Sequence, residues 1–505
     1  MKRFLFVAVC LLVTAGAVLY VWARAALSGE AVRAGVERQL SQALAQPVTI
    51  RAARATIWPR VTLRLDDVAI GNPATITIRR LDVGADLGAL VSRRVEHGAL
   101  SASGARITLP LPAFTLSQAE TPAGQQRPPP VKIVSIDAIK LDDVEIVSGG
   151  RSLRGNVDVL PKGAGLEVNR ITLRAEQTEL SVYGTIANLT GPTGSLTVKA
   201  PGLNLLEVVA FVSDFARGAG ITAPGGQRGV DRFPMNLQIE VDAGRTVAGT
   251  LVLDRLKGVA TITPAAIALN PVTFGVFGGG YTGTLRLTLG RAASYSLNAT
   301  LKNVDAAKAM AFAGSQNTLT GQLNGSLVVS GRGAAADDVV RSARGTARLD
   351  VTDGTLAGLD LVRAVVLAGS GRADSPGLKS FRDRTGFEPF SRLGGSFTIA
   401  DNVARTSDLR LESKDVVLAG AGDIHLLETA VALKGLVQLS PELSKQAGPD
   451  LVRYASQDGR VTLPVTVTGQ AGKFTVTPDL GEAARRAISK ELSEGLKSLF
   501  KKIIK

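Results

Sequence analysis

The stretch VTLRLD, residues 61–66, alternates strictly between apolar and polar side chains. The same two-residue period recurs at residues 75–78, TITI, and at residues 284–289, TLRLTL. Because successive side chains of a β-strand point to opposite faces of the sheet, this alternation predicts strands with one apolar and one polar face. Turn residues such as Gly71-Asn72-Pro73 separate the segments at short intervals. The sequence therefore predicts a mainly β protein built as a meander of short strands, without crossover helices between them.

A loosely repeated unit extends this pattern along the chain. It begins at Tyr183 with YGTIANLTGPTGSLTVKAPG, at Tyr281 with YTGTLRLTLGRAASYSLNAT, and at Ala419 with AGAGDIHLLETAVALKG. Each copy contains a glycine-started hairpin and is followed by a short helical segment. Repeats of this kind build elongated sheets in which each unit buries its apolar face against its neighbours.

The tetrapeptide LDDV occurs twice, at residues 65–68 and again at residues 141–144. Paired aspartates can serve acid–base chemistry or bind a metal, but neither pair has a histidine or glutamate partner nearby in the sequence. Aspartate is also a common turn residue. We therefore expect both LDDV segments to form turns between strands.

Composition narrows the class of partner. The 505 residues are 45% hydrophobic but only 4% aromatic, and they carry a formal charge of +14. A basic chain suggests nucleic acid or an anionic membrane surface as its partner, or simply a solvated basic face. Proteins that bind single-stranded nucleic acid stack bases on aromatic side chains, and five Tyr and two Trp supply few of these. We expect no nucleic-acid partner.

The sequence lacks the residues that most enzymes need. It holds one cysteine, Cys10, inside the N-terminal apolar run, and two histidines, His97 and His425, far apart in sequence. It contains no nucleophile elbow, no phosphate-binding loop, no dinucleotide fingerprint and no zinc-protease motif. We therefore predict that the protein is not an enzyme, that it has no catalytic residues, and that it binds no metal or other cofactor.

Residues 4–23, FLFVAVCLLVTAGAVLYVWA, predict a membrane anchor. Twenty helical residues span about 30 Å, the thickness of a bilayer core. A signal peptide has a shorter apolar region, so an uncleaved transmembrane helix is the preferred interpretation. Basic residues flank the run on both sides, so the residues alone leave its orientation open. The side chains that we expect in the bilayer are Phe4, Leu5, Val7, Leu11, Leu12, Val18, Tyr20 and Trp22.

The chain ends in a segment with helical period, residues 479–505. One face is predicted to be apolar and the other basic, which is typical of a helix that lies on an anionic membrane. A helix packed against the end of the sheet fits the pattern equally well. The residues that we expect at the membrane surface are Ile488, Leu492, Leu496, Leu499, Phe500, Ile503, Lys497, Lys501 and Lys502.

Several segments together resemble the bacterial AsmA family. Residues 36–73, which end in DDVAIGNP, resemble its N-terminal region. Residues 256–287 are similar to its strand pair with a glycine-rich turn, and residues 345–365 and 390–426 resemble its C-terminal domain. The basic segment after residue 479 matches no motif of the family. The matching motifs are structural, so they indicate a family and no chemical site.

The resemblance implies an elongated, curved, repetitive antiparallel β-sheet with a groove-like apolar face. It implies a single-pass protein of the bacterial inner membrane with its main body in the periplasm, acting in outer-membrane biogenesis by carrying phospholipid between the two membranes. The expected partners are phospholipid, the inner membrane and other envelope proteins. The alternative is a periplasmic scaffold that binds proteins through the same sheet. The predicted groove lining comprises Val61, Leu63, Leu65, Ile76, Ile78, Leu285, Leu287 and Leu289.

The predicted domain organisation follows from these segments. Residues 1–23 are the cytoplasmic tip and anchor, and residues 24–116 are an N-terminal AsmA-like β region. Residues 117–130, SQAETPAGQQRPPP, form a proline-rich linker. A central repetitive β region covers residues 131–344 and a C-terminal AsmA-like β region covers residues 345–478, followed by the basic amphipathic helix.

Overall fold

The computed structural model describes residues 29–44, 46–56, 61–86, 94–109, 132–133, 135–148, 150–188, 191–208, 235–288, 293–333, 336–370, 386–447, 449–482 and 485. The predicted anchor, the proline-rich linker and the predicted surface residues from Ile488 onward lie outside this part of the chain. The chain divides into two compact units, an N-terminal unit, Met1–Asn270, and a C-terminal unit, Pro271–Lys505.

The described residues are mainly β, as predicted. The helices are α1 (Gly29–Leu44), α2 (Ala306–Phe312), α3 (Ala336–Arg341), α4 (Leu361–Ser370), α5 (Pro441–Gln446) and α6 (Pro449–Ala455). The strands are β1 (Val48–Thr56), β2 (Val61–Ile70), β3 (Ile76–Ala85), β4 (Arg94–Val95), β5 (Gly98–Thr108), β6 (Lys132–Ile133), β7 (Ile136–Ser148), β8 (Arg151–Lys162), β9 (Gly165–Arg174), β10 (Glu179–Asn188), β11 (Thr193–Asn204), β12 (Asn236–Ala248), β13 (Leu251–Ile262), β14 (Ala266–Val276), β15 (Gly279–Thr288), β16 (Ser294–Asp305), β17 (Gln322–Arg332), β18 (Arg344–Ala357), β19 (Phe387–Ala400), β20 (Val403–Glu412), β21 (Val416–His425), β22 (Ala430–Leu439), β23 (Ser456–Gln457), β24 (Arg460–Gln470) and β25 (Lys473–Pro478).

The N-terminal unit is a meander in which each long strand pairs with the next. The order is β1-β2-β3-β5-β7-β8-β9-β10-β11-β12-β13. Most pairs are antiparallel, as predicted, but β5–β7 and β11–β12 are parallel. These two pairs are parallel because the longer connections before β7 and β12 return the chain to the end of the sheet at which β5 and β11 begin.

The C-terminal unit contains a second meander, β15-β16-β17-β18-β19-β20-β21-β22-β24-β25, with antiparallel pairing at every step. The three repeated sequence units are confirmed as hairpins followed by a helical segment. They are β10–β11 with a helical turn at residues 205–208, β15–β16 with α2, and β21–β22 with α5. The elongation and curvature implied by the resemblance stay predictions.

The two LDDV segments do not form turns, and that expectation is wrong. They lie inside β2 and β7, where Asp67 and Asp143 have φ angles of 51° and 53°. Aspartate tolerates the left-handed region better than most residues, so it can occupy the extra position of a β-bulge. The register of β7 against β8 shifts at this point, and the backbone amide of Asp143 donates a hydrogen bond of 2.9 Å to Asn156 Oδ1. Asp143 therefore lies at a bulge of β7, whereas Asp67 lies in β2 without a shift of register against β1 or β3.

Helix α1 closes one side of the N-terminal unit. Its apolar residues Val36, Leu40 and Leu44 are buried in one cluster with the apolar residues of β1, β2, β3 and β5. Its polar residues accept hydrogen bonds from the free edge of β1. Glu37 Oε1 accepts a 2.7 Å hydrogen bond from the backbone amide of Ile50, and Ser41 Oγ accepts a 2.9 Å hydrogen bond from the backbone amide of Val48. One helix therefore covers both the apolar face and the unpaired backbone of the edge strand.

Helices α4, α5 and α6 have the corresponding position in the C-terminal unit. Leu361, Val365 and Leu443 are buried in one cluster with Val437 and with other residues of β20, β21, β22 and β24. The buried side chain of Glu388 holds the start of α4, since its Oε2 accepts a hydrogen bond of 3.2 Å from the backbone amide of Leu361. The part of the sheet near these helices is therefore a closed core.

The carboxyl group of Asp408 links β19 to a bulge of β20 and gives a pH-dependent prediction. Its Oδ1 accepts hydrogen bonds of 2.7 Å from the Ser396 amide and 3.2 Å from the Thr406 hydroxyl. These bonds, that of the Ser396 amide above all, lower the pKa of Asp408. Because the folded pKa lies below the unfolded one, about 3.9, the stabilisation is present above the unfolded value and is lost as pH falls through the folded value.

We therefore expect Asp408→Asn, which keeps an oxygen acceptor but does not titrate, to show a smaller acid-induced fall in melting temperature than the unsubstituted protein. Asp408→Ala should melt at a lower temperature even at neutral pH, since it leaves the Ser396 amide without its acceptor. Thermal denaturation between about pH 3 and pH 7 measures both effects. An Asp408→Asn protein with an unchanged acid sensitivity would contradict the assignment.

Candidate functional site

The apolar side chains of the N-terminal unit form continuous rows across the strands. In an antiparallel or parallel ladder, residues in register on neighbouring strands lie side by side on the same face. One row consists, strand by strand, of Ala53, Leu65, Leu81, Ala102, Leu141, Val157, Ile171, Val182, Val198, Val241 and Gly258. No polar side chain interrupts this row from β1 to β13. We call the face that carries it the apolar face of the N-terminal unit.

The burial of this row changes along the sheet. Leu65 and Leu81 lie in the cluster that α1 covers and are fully buried. Val182, Val198 and Val241, on β10, β11 and β12, are only half-buried. The row therefore continues beyond α1. Its members on β10, β11 and β12 are partly exposed, although Leu205 and Val208 of the helical turn at residues 205–208 pack in the same cluster.

The C-terminal unit has a similar apolar face, and helix α4 covers it near one rim of the sheet, that is, near one set of strand ends. The row close to α4, which includes Val351, Leu411, Val437 and Leu463, is buried. The row nearer the opposite rim consists of Leu285, Leu297, Val329, Gly345, Ile399, Ala404, Ile424, Val431 and Gly469. Apart from the buried Ala404, its members are half-buried. We call this set the open row of the C-terminal unit.

The opposite face of each unit is charged and ion-paired across strands. Arg64 Nε lies 2.6 Å from Asp82 Oδ1 in the N-terminal unit, and Arg392 Nε lies 2.7 Å from Asp350 Oδ1 in the C-terminal unit. The hydrogen bond from Arg64 to Asp82 raises the pKa of that guanidinium, which stays charged. Exposed pairs of this kind contribute little to stability, because water and salt screen them. Their main consequence is that one face of each sheet remains in water.

A depression on the polar face of the N-terminal unit does not suit an apolar ligand. It has a volume of about 540 Å³ and is lined by side chains that include Arg79, Arg106, Glu145 and Arg154. Arg106 Nη1 and Arg154 Nη2 lie 3.3 Å and 3.1 Å from the carboxylate of Glu145. The apolar surface that could hold a ligand is therefore on the other side of the sheet.

The predicted groove residues fall into two groups. Val61, Leu63, Leu65, Ile76 and Ile78 belong to the buried cluster that contains the apolar residues of α1, so they lie in a closed core, because this helix covers their face. Leu285 is half-buried and Leu287 is 37% exposed, while Leu289 lies outside the described residues. The accessible part of the predicted lining is therefore at Leu285 and Leu287, and its contact with lipid stays a prediction.

Sequence reasoning missed most of the accessible apolar face. Leu237, Ile239 and Val241 alternate with polar residues in NLQIEVD, residues 236–242, whereas Leu327, Val328 and Val329 form a continuous apolar run in GSLVVSG, residues 325–331. The alternation that identified β2 was available in the first of these segments. The signal that separates an accessible from a covered strand is the position of the helices, which alternation does not report.

Two further observations concern the described part of the chain. None of its helices combines the length and the apolar character needed to cross a bilayer, and the predicted anchor side chains lie outside it. Nor do its histidine, cysteine, aspartate and glutamate residues form a group of three or more that could hold a metal ion.

Comparison with protein-family models gives a match to the AsmA family over residues 168–409. Residues 168–409 belong to the AsmA family. The match contains residues 256–287 and 345–365, and within it lie the partly exposed rows on β10–β12 and β15–β19. Comparison with curated protein sequences and with solved structures gave no significant match.

Proposed function

We propose that this protein is a non-enzymatic carrier of phospholipid acyl chains, which lie on its accessible apolar rows. One observation carries the proposal: the apolar rows continue beyond α1 and α4 across strands on which their side chains are partly exposed, while the opposite face is charged. A one-sided sheet of this kind offers hydrocarbon a dry contact surface and leaves headgroups in water.

The binding free energy of an acyl chain depends on the apolar area that binding removes from water. Each methylene group removed from water contributes about 0.8 kcal/mol. A half-buried valine or leucine of an open row, such as Leu297 or Val329, also loses its contact with water when an acyl chain lies on it. Binding along several strands therefore sums many small contributions, and it requires no fixed polar partner for the tail.

The cellular part of the proposal is that the protein supports outer-membrane biogenesis by moving phospholipid between the inner and outer membranes. The match to the AsmA family supports it, together with the anchor predicted at residues 4–23. In this proposal the anchor crosses the inner membrane and residues 24–505 lie in the periplasm.

Lipid bound to the purified protein tests the proposal. We expect the full chain, transferred from membranes into amphipol, to retain phospholipid that mass spectrometry detects. Val329→Asp should lower the amount about tenfold, because a carboxylate on the open row must be desolvated when the tail binds. Val328 is the matched control, since it is the adjacent valine, lies on the polar face and is 54% exposed.

Val328→Asp should therefore retain lipid as the unsubstituted protein does. Circular dichroism would establish that both variants are folded. Equal lipid content in the two variants, or protein partners retained in place of lipid, would contradict the carrier proposal and favour a scaffold.

A further inference from the structure

Two pairs of aromatic residues lie at one corner of the C-terminal unit, around the turn between β14 and β15, in a chain that is only 4% aromatic. The rings of Phe274 and Tyr281 are stacked, with centroids 4.2 Å apart and planes 5° from parallel. The rings of Phe277 and Phe312 lie 5.5 Å apart. We call these four residues the aromatic corner. They bring together β14, the turn before β15, β15 itself and the end of α2.

The aromatic corner lies at one end of the apolar face of the C-terminal unit. Tyr281, Gly283 and Leu285 follow one another at two-residue spacing on β15, so they share one face of the sheet. Leu285 begins the open row, and Tyr281 pairs in register with Leu301, four residues along each strand towards the buried row that lies close to α4. A chain lying along β15 from Leu287 towards the start of this strand therefore reaches the Tyr281 ring.

The hydroxyl of Tyr281 can act as a hydrogen-bond donor there. The residue is 9% exposed, and its burial raises the pKa of the phenol, so the hydroxyl remains protonated at neutral pH. Its ring is apolar and its tip is polar, which suits the boundary between hydrocarbon and water.

A lysine stands beside the same corner. Lys308 Nζ lies 3.8 Å from the position that a Cβ on Gly278 would take, so the ammonium lies over the turn between β14 and β15. Its contact with Asp305 Oδ2 is 3.7 Å, longer than a hydrogen bond, and the side chain is 63% exposed. The ammonium therefore keeps its donors for a further anionic group, although Asp305 offsets part of its charge.

Helix α2 begins in the C-terminal core, where Ala306 is buried, but it ends outside that core. Leu361, Leu443 and Leu451, on α4, α5 and α6, are buried. Phe312 at the end of α2 is instead 52% exposed. Phe312 lies one helical turn from Lys308 on α2. Lysine and tyrosine are residues that membrane proteins present at the headgroup level of a lipid layer.

We propose that the aromatic corner and Lys308 hold the phosphate end of a lipid whose acyl chain lies on the open row at Leu285 and Leu297. The inference rests on the proposed carrier function and adds a headgroup position to it. The Lys308 ammonium pairs with the phosphate, the Tyr281 hydroxyl donates to an adjacent oxygen, and the four rings cover the first methylene groups. The ligand class is an alkyl phosphate, whether part of a phospholipid or of a simpler amphiphile.

Two single-chain probes of equal length separate the headgroup from the tail. Dodecyl phosphate and dodecanol differ only in the phosphate, and their binding to the delipidated full chain in amphipol can be measured by native mass spectrometry. We expect Lys308→Glu to weaken dodecyl phosphate binding about tenfold and to leave dodecanol binding unchanged. Lys308→Gln should give a smaller loss in the same direction.

Lys302 provides the matched control. It is an exposed lysine towards the end of β16 that lies near the aromatic corner. It follows Leu301 directly in the strand, so it points to the polar face. Lys302→Glu should leave the binding of both probes unchanged. An equal loss in Lys302→Glu and Lys308→Glu would reduce the effect to net charge and overturn the proposal.

The remaining outcomes distinguish the two proposals from each other. If the unsubstituted protein binds both probes and Lys308→Glu changes neither, the headgroup position is wrong while the carrier proposal stands. If the protein binds neither probe, the carrier proposal fails as well. If inorganic phosphate alone competes as strongly as dodecyl phosphate, the corner binds free phosphate and not a lipid headgroup.

Discussion

Leu63→Asp is expected to unfold the N-terminal unit, whereas Leu287→Asp should leave the protein folded. Leu63 is 0% exposed in the core that α1 covers, and Leu287 is 37% exposed on β15. A carboxylate in a dry core costs several kcal/mol or must take up a proton, and a whole domain is stable by only about 5–15 kcal/mol. At Leu287 the carboxylate keeps contact with water, so the same change should cost much less stability.

Circular dichroism and limited proteolysis of the full chain measure the difference. Leu63→Ala serves as the milder variant at the covered position, with an expected loss of about 2–5 kcal/mol from the cavity. Leu287→Asp should in addition be inactive in the envelope, since it places a charge beside the open row. If Leu287→Asp loses as much structure as Leu63→Asp, the face at β15 is covered and is an ordinary core.

Local features of the fold could be predicted from the sequence because they depend on neighbouring residues. Alternation over two or three residue pairs identified the strands at residues 61–66, 75–78 and 284–289, and glycine and proline located their turns. The hairpin-and-helix repeats were also readable, since each is a short contiguous segment. The AsmA resemblance was confirmed for the part of the chain that residues 168–409 cover.

The covered and uncovered strands could not be told apart in this way. Leu63 and Leu285 have the same local pattern, but α1 packs on the face that carries Leu63, and this contact joins segments distant in sequence. The apolar spacing of Val36, Leu40 and Leu44 is the signal that could have identified the cover.

The irregular strands and the apolar rows could not be predicted from the sequence, because both depend on which residues of neighbouring strands pair. An LDDV segment looks like a turn because aspartate is common in turns, yet Asp67 takes a left-handed conformation within a continuous strand. A row such as that of Leu285, Leu297 and Val329 exists only when three strands pair in one register. Alternation gives the two faces of each strand but leaves the pairing open, and a shift by one residue would exchange the faces.

The alternation of lipid contact along β17 can be measured directly by photo-crosslinking in living cells. A photoreactive amino acid would replace either Val329, on the open row, or Val328, the neighbouring valine on the polar face that is 54% exposed. Because both positions are accessible, accessibility alone would give adducts at both. We predict phospholipid adducts at position 329 and a background level at position 328. Equal phospholipid yields at the two positions, or protein adducts alone at position 329, would contradict the proposal that acyl chains lie on the apolar face.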